Sequence, residues 1–408
     1  MKRTVVCAWA LASVVGVSGV SAQDEPSGHS PAPDVAPPPA DTAGAGPAAP
    51  SEAPLDFHPL FNGLNLAGWT VVNGAPSTWT VKDGQLVCSG KPTGVLRSDR
   101  MYENFVLELD WQHVKAGGNS GLFVWSDPLP APGVPYTRAF EVQVMDGTET
   151  PDYTSDGDIF SIWGARFTPD RPHPNGWERC LPSEKRVKPS PEWNHYRVTC
   201  RDGAIKLEVN GAEVSGGHDA APRKGYVCLE SEGSEVRFRD LRLAELPPSD
   251  PPPPATQVAA EQRGLRTLYD GVSLLGWHAG EAHGEIGGHW EPRDWTLWTD
   301  GAGGTLASDW VGRDFELQLD WHWLGTPKDP RVPAHLRLDW PEDDGAYTDP
   351  SGWNRARFEF HGHKVTLEIN GRTVLQDIDC PIGASAGTLV LQATGVPTEF
   401  ANIFVRNL

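Results

Sequence analysis

The chain has 408 residues, enough for two domains with cores of their own. Its formal net charge of −20 argues against a nucleic-acid backbone or an anionic membrane surface as partner, and leaves neutral sugars or peptides open. With 44 glycines and 38 prolines, and with Val, Thr, Trp and Phe in short runs rather than at helical spacing, it reads as an all-β protein.

Residues 1–22 have the pattern of a secretory signal peptide. Lys2 and Arg3 precede an apolar run from Val5 to Val20, and Val20-Ser21-Ala22 supplies small residues at a cleavage site. The run is short for a membrane span, so the mature chain is expected to carry no transmembrane anchor. The location expected is periplasmic or extracellular. Removal of this segment leaves Cys88, Cys180, Cys200, Cys228 and Cys380, an odd set that allows two bridges at most. Pairing and buried free thiols are both open. Residues 23–54 follow, a Pro/Ala-rich stretch with too few large apolar side chains to offset the entropy of ordering it, and they read as a disordered spacer.

The remainder contains a repeat. Leu60-Phe61-Asn62-Gly63 and Gly68-Trp69 return as Leu268-Tyr269-Asp270-Gly271 and Gly276-Trp277. The run Phe105 to Trp111 returns as Phe315 to Trp321, and Trp193-Asn194 as Trp353-Asn354. Such a long period means domain duplication, with residues 55–246 as one domain, a Pro-rich linker at 247–262, and residues 263–408 as a second. Each half alternates short apolar runs with Asp-Gly or Asn-Gly turns at Asp83-Gly84, Asp202-Gly203, Asn210-Gly211 and Asn370-Gly371. Two tandem jelly-roll β-sandwiches are the expected architecture.

The halves differ between the Asp-Trp and Trp-Asn strands, where the first inserts Gln112 to Glu192 and the second only His322 to Gly352. That insertion holds the candidate site. Gly117 to Trp125 and Phe140 to Asp146 read as two strands joined by a Pro-rich loop, with Glu141 and Gln143 on one face of the second strand. Glu141 reads either as a catalytic carboxylate or as a solvated residue of a polar sheet face. Asn119-Ser120-Gly121 reads as a binding element or as turn chemistry. The histidines His278, His283, His289, His361 and His363 read as scattered surface residues, and no ligand spacing settles a metal. A divalent metal cofactor is therefore left open. Nine of the 17 tryptophans lie in the second half; Trp277, Trp321 and Trp353 recur at repeat positions and are expected in the core.

Taken together, Leu60-Phe61-Asn62-Gly63, Gly68-Trp69, Asp83-Gly84, Gly118-Asn119-Ser120-Gly121, Glu141 to Asp146 and Pro191-Glu192-Trp193-Asn194 occur in an order that resembles the 3-keto-disaccharide hydrolase domain family. The resemblance is clear over the first folded half and confined to scaffold motifs in the second. It implies a concanavalin-like jelly roll in an exported hydrolase acting on glycosidic bonds, with a carbohydrate as substrate or ligand. Glu141-x-Gln143-x-x-Asp146 is also similar to the Glu-x-Asp-x-x-Glu strand of laminarinase-type glycosidases. A bulge at Met145 would return Asp146 to the face of Glu141. The backbones would still stand about 13 Å apart, whereas retaining chemistry needs carboxyl groups about 5–5.5 Å apart.

What the resemblance implies instead is a sugar with a ketone at C3, cleaved by removal of the C2 hydrogen, elimination of the C1 substituent and hydration. In that scheme Glu141 is the base and Asp146 orients or assists the leaving group. Asn119, Ser120, Gln143 and Trp125 serve substrate binding, and Arg97, Arg138 and His113 are candidates to stabilise the enolate. A non-catalytic, lectin-like carbohydrate-binding protein and a structural exported module are the rival readings.

Overall fold

The computed structural model describes residues 54–146, 156–262, 264–280, 286, 288–302, 304–335, 347–379 and 387–408. The signal-peptide reading, the spacer reading up to residue 53, and Cys380, Trp340 and His283 lie outside these residues. Pro54–Leu408 forms one compact unit. Among the described residues, the three-residue 3-10 turn Ala255–Gln257 is the only helical element, and all else that is regular is antiparallel strand. The fold is all-β, built as jelly-roll sandwiches.

Among the described residues, four sheets make it up. In the first half a nine-stranded sheet runs Arg166–Pro169, Ala212–Ala221, Ala204–Val209, Asn194–Arg201, Phe105–His113, Val236–Glu245, Gln85–Cys88, Trp79–Lys82, with His58–Pro59 beside Val236–Glu245. A seven-stranded sheet runs Arg179–Cys180, Ile159–Ile162, Ala139–Met145, Asn119–Ser126, Tyr226–Ser231, Gly94–Ser98, Trp69–Val72. Strand alternation sorts the side chains. Phe105, Leu107, Leu109 and Trp111 from the first sheet meet Leu122, Val124, Phe140, Val142 and Val144 from the second in one core. On the other face of the nine-stranded sheet, Glu108 pairs with Arg197 and Arg242, and Asp110 with His195 and Arg239. The second half repeats the plan with an eight-stranded and a four-stranded sheet around Leu317, Leu319, Trp321, Phe358 and Phe400.

The hairpin turns foreseen from Asp-Gly and Asn-Gly pairs are present. Asp83, Asp202, Asn210 and Asn370 and the glycine after each all have positive φ, as the tight two-residue turn requires. Cys88, Cys180, Cys200 and Cys228 are buried free thiols, their bulk absorbed by packing. Trp277 and Trp321 are buried, while Trp353 is half-buried against Trp295 at 5.6 Å.

The outward face of the seven-stranded sheet is not wholly open. Val72, Val95, Phe123, Ala139, Tyr226 and Cys228 pack there with Leu265 and Phe404 of the second half. Polar bonds flank this patch: Asn73 Nδ2 donates to Asn402 Oδ1 at 2.5 Å, and Thr93 donates through its backbone N–H and hydroxyl to Asp294 at 2.9 and 2.7 Å. Phe404 is fully buried at this seam. Phe404→Ala should therefore cost about 3–5 kcal/mol, read as a lower urea midpoint; a change below about 1 kcal/mol would show that the seam is not packed.

Candidate functional site

Beside the apolar patch, the same outward face gathers carboxyl groups. Glu141 pairs in register with Phe123, Gln143 with Gly121, and Asn119 with Met145. On the neighbouring strand Cys228 stands opposite Phe123, so Glu230 falls on this face as well, and Glu232 follows two residues on. Glu141 and Glu230 are buried and Glu232 is half-buried. Gly121 lies among them without a side chain. A Cβ there would stand 2.9 Å from both Glu141 Oε1 and Phe123 Cε1, so the glycine leaves the space that the Glu141 carboxyl occupies.

The carboxyls are held by a short network. Tyr136, from the loop between the Asn119–Ser126 and Ala139–Met145 strands, donates its hydroxyl to Glu232 Oε1 at 2.9 Å. Asn119 donates its amide to Glu232 Oε2, and Gln143 Nε2 donates to Asn119 Oδ1 at 2.8 Å. Ser120 turns to the opposite face and donates to the backbone oxygen of Glu230 at 2.8 Å. Glu230 Oε2 is buried and meets no donor among the described residues.

Burial sets the electrostatics. It pushes the Glu141 carboxyl well above the usual carboxylate range; the charge of Glu232 adds to the rise and Arg179 opposes it. Glu230 is raised for the same first reason, then by Glu232, Glu141 and the Cys88 thiol. Glu232 is also raised by burial, against the hydrogen bonds from Tyr136, Glu230 and Asn119, with Asp294 of the second half adding negative charge. The phenol of Tyr136 rises too, from burial and then from the glutamates. The three carboxyls therefore titrate as a set, and protons are retained among them where isolated glutamates would be ionised.

Sequence reasoning placed Glu141, Gln143 and Asn119 together, and they meet. Glu141 is not a solvated strand residue, and Asn119 to Gly121 belongs to a strand rather than a turn. The other named residues lie elsewhere. The ladder between the two strands runs without a register shift to Asn119–Met145, so no bulge carries Asp146 back. Asp146 instead accepts from the backbone N–H of Ser190 at 3.0 Å and from its hydroxyl. Trp125 is fully buried in the core between the sheets, its indole donating to Glu103 O at 2.7 Å. His113 is buried on the inward parity of the nine-stranded sheet, its Nε2 3.0 Å from Val144 O, and burial lowers its pKa. Arg97 donates to Pro128 O at 2.6 Å and lies over the Tyr226 ring, and Arg138 forms a two-pronged bond with Asp127. Both arginines thus hold the base of the Tyr136 loop.

Glu230, Glu232, Tyr136 and Arg179 were missed. Glu230 and Glu232 had a signal, two carboxylates spaced by two directly after the apolar run Tyr226 to Leu229. Arg179 pairs with the buried Asp158 at 2.6 Å, and its charge acts on Glu141 from a two-residue strand that carries no recognisable pattern. Among the described residues, no group of three or more His, Cys, Asp or Glu is arranged to hold a metal ion.

A folded-state pKa above the unfolded value contributes stability below the unfolded pKa and loses it as pH rises through the folded one. Glu230→Gln should therefore raise the melting temperature at pH 8. The gain should shrink as pH falls toward about 4.3, where unfolded glutamate takes up its proton. A melting series against pH checks this, and equal or lower stability of the variant at pH 8 would contradict it.

A family model described as the 3-keto-alpha-glucoside-1,2-lyase-like domain matches residues 56–244 and 334–406, together more than half of the chain. Among solved structures, a candidate glycosyl hydrolase from Parabacteroides distasonis is 23% identical, over 47% of this chain and 94% of its own, with a TM-score of 0.36. The carbohydrate-binding module CBM66 from Bacillus subtilis is 14% identical, over 44% and 96%, at 0.32. The β-glucanase of Bacillus licheniformis is 13% identical, over 48% and 100%, also at 0.32. A search of curated proteins returned no match. The chain belongs to the 3-keto-alpha-glucoside-1,2-lyase-like domain family.

Proposed function

We propose that this chain is an exported enzyme that cleaves 3-keto-glycosides by elimination and hydration. The observation that carries the reading is Glu141. It is a carboxyl held out of water on an outward sheet face, over the gap left by Gly121 and beside a hydrogen-bonded acid set. The family description, which names a 1,2-lyase of a 3-keto-glucoside, supports the same chemistry.

A ketone at C3 acidifies the hydrogen on C2. Glu141, in its ionised form, takes that proton, and the C–H electron pair becomes the C2–C3 enolate. The enolate collapses to restore the ketone, a C1–C2 double bond forms, and the C1–O bond breaks. The departing oxygen needs a proton, which the Glu230–Glu232 pair supplies. Tyr136 and Asn119 fix the orientation of Glu232 through this step. Water then adds at C1 and a proton returns to C2, giving the 3-keto sugar and the free alcohol. A raised pKa makes Glu141 a stronger base when ionised and keeps a proton within the acid set at neutral pH. Asp146 takes no part in this scheme because Ser190 occupies its carboxylate.

The test is NMR of the purified protein in D₂O with a disaccharide and, separately, its 3-keto derivative. Cleavage of the keto sugar alone, with deuterium at C2, is expected. Glu141→Gln should lower turnover at least 10³-fold with binding kept, and Gly121→Ala at least tenfold through displacement of the Glu141 carboxyl. Cleavage of the unoxidised disaccharide, or unchanged turnover in Glu141→Gln, would contradict the reading.

A second reading, a non-catalytic carbohydrate-binding protein, draws on the exposed rings of Trp163 and Trp177, 45% and 40% accessible, the latter stacked on His173 at 4.4 Å. Such rings suit the faces of sugars. That reading expects affinity without turnover in the native protein.

A further inference from the structure

The Tyr136 loop is gripped from both sides. At its base Asp127 N–H donates to Arg138 O at 2.8 Å and the two side chains pair; higher up, Ala131 N–H donates to Tyr136 O at 2.9 Å. Its tip rests on the second half. Gly133 N–H donates to Asp320 Oδ2 at 2.9 Å, Arg355 donates to Pro130 O at 2.9 Å, and Asn402 Nδ2 donates to Val134 O at 3.0 Å. Asp320 is fully buried and also accepts from Arg355 at 2.6 and 2.8 Å and from Asn402 at 2.7 Å. Gly133 lies directly on the Trp353 ring, where no Cβ fits.

The first half shows what the second has changed. Asp110, the counterpart of Asp320 in the repeat, spends its carboxylate within its own sheet, on His195 and Arg239. Both halves carry a register shift on the last strand beside this residue, with one side chain at positive φ: Asp240 in the first, Asn402 in the second. Asp240 points to solvent, whereas Asn402 is buried at the seam between the halves. The same scaffold irregularity has become a docking point.

We propose that the second half is a clamp for the catalytic half: Asp320, Arg355 and Asn402 are positioning residues that hold the Tyr136 loop down over the glutamate set. The clamp rests on the site assigned above, and it gives the degenerate copy a role through Tyr136 rather than through a ligand of its own. With the tip released, the loop remains tied at its base but Tyr136 no longer stays on Glu232. Water then reaches Glu141, Glu230 and Glu232.

The test uses the full chain. Asn402→Gly removes the side chain while tolerating the positive φ. The pair Asp320→Leu with Arg355→Met removes the buried ions together, so that neither charge is left alone. Hydrogen exchange of amides in residues 131–137 should speed up at least tenfold in both variants, with strands Phe105–His113 and Asn194–Arg201 unchanged. The acid limb of the pH–activity profile should move to lower pH, because hydration relieves the burial that raises the glutamates. Tyr136→Phe keeps the ring but loses the donor to Glu232, and should move that limb upward. The charged groups around the limb are Glu141, Glu230, Glu232, Tyr136, Arg179, Asp294 and the Cys88 thiol. Loop exchange within twofold of the native rate, or acceleration spread equally over the chain, would overturn the clamp. So would faster loop exchange with the glutamate titration unmoved. The exchange arm, and carboxyl NMR in place of activity, need no substrate, so they decide the clamp even for a protein that cleaves no keto sugar.

Discussion

Burial of two glutamates, Glu141 and Glu230, beside the half-buried Glu232 on one sheet face is the constraint on which the rest depends. Carboxylates this close and this buried are costly when ionised, and folding tolerates them only with protons shared among them and donors aimed at them. Tyr136 and Asn119 supply the donors on Glu232, and the charge of Arg179 opposes the rise at Glu141. Elsewhere the chain pairs its charges, on partly solvated ladders such as Glu108 with Arg197 and Arg242 and in buried pairs such as Asp320 with Arg355. The contrast separates the two kinds of acid. Ladder carboxylates have cations at bonding distance, while Glu230 has an oxygen with no donor among the described residues.

Such a cluster needs a lid and a floor. Gly121 is the floor, and the loop from Asp127 to Arg138 is the lid, pinned at its base by Arg97 and by the Arg138–Asp127 pair. Two arginines that a mechanism would enlist as enolate partners thus act on the backbone that carries Tyr136. The second half completes the enclosure, covering the apolar part of the face with Leu265 and Phe404 and placing Asp294 near Glu232.

Much of the fold was legible because its signals are local. Alternating runs, paired turn residues and an internal repeat each report on a few neighbouring positions, and the all-β reading needed nothing more. The site was legible only where it is local too: Glu141, Gln143 and Asn119 lie on adjoining strands of one hairpin. Glu230 and Glu232 reach the same face from a strand about ninety residues later, and only the sheet order brings them there. Asp146 was misread because the pattern was matched to a motif, whereas the strand ends at Met145 and the next carboxylate turns to Ser190. His113 failed on parity, since it faces the core from its strand. Trp125 shares the parity of the outward Phe123, but a positive φ and a register shift at the end of its strand turn it into the core.

The central claim is that Glu141, Glu230 and Glu232 form one coupled, desolvated acid set. Carboxyl-labelled glutamate and ¹³C NMR across pH, read in the native protein and in Glu230→Gln, test it most directly. The account predicts glutamate resonances that titrate well above the ordinary value of about 4.3, with the others shifting when Glu230 is replaced. If every glutamate titrates near that ordinary value, and each is indifferent to Glu230→Gln, the acid set does not exist and the mechanism built on it fails.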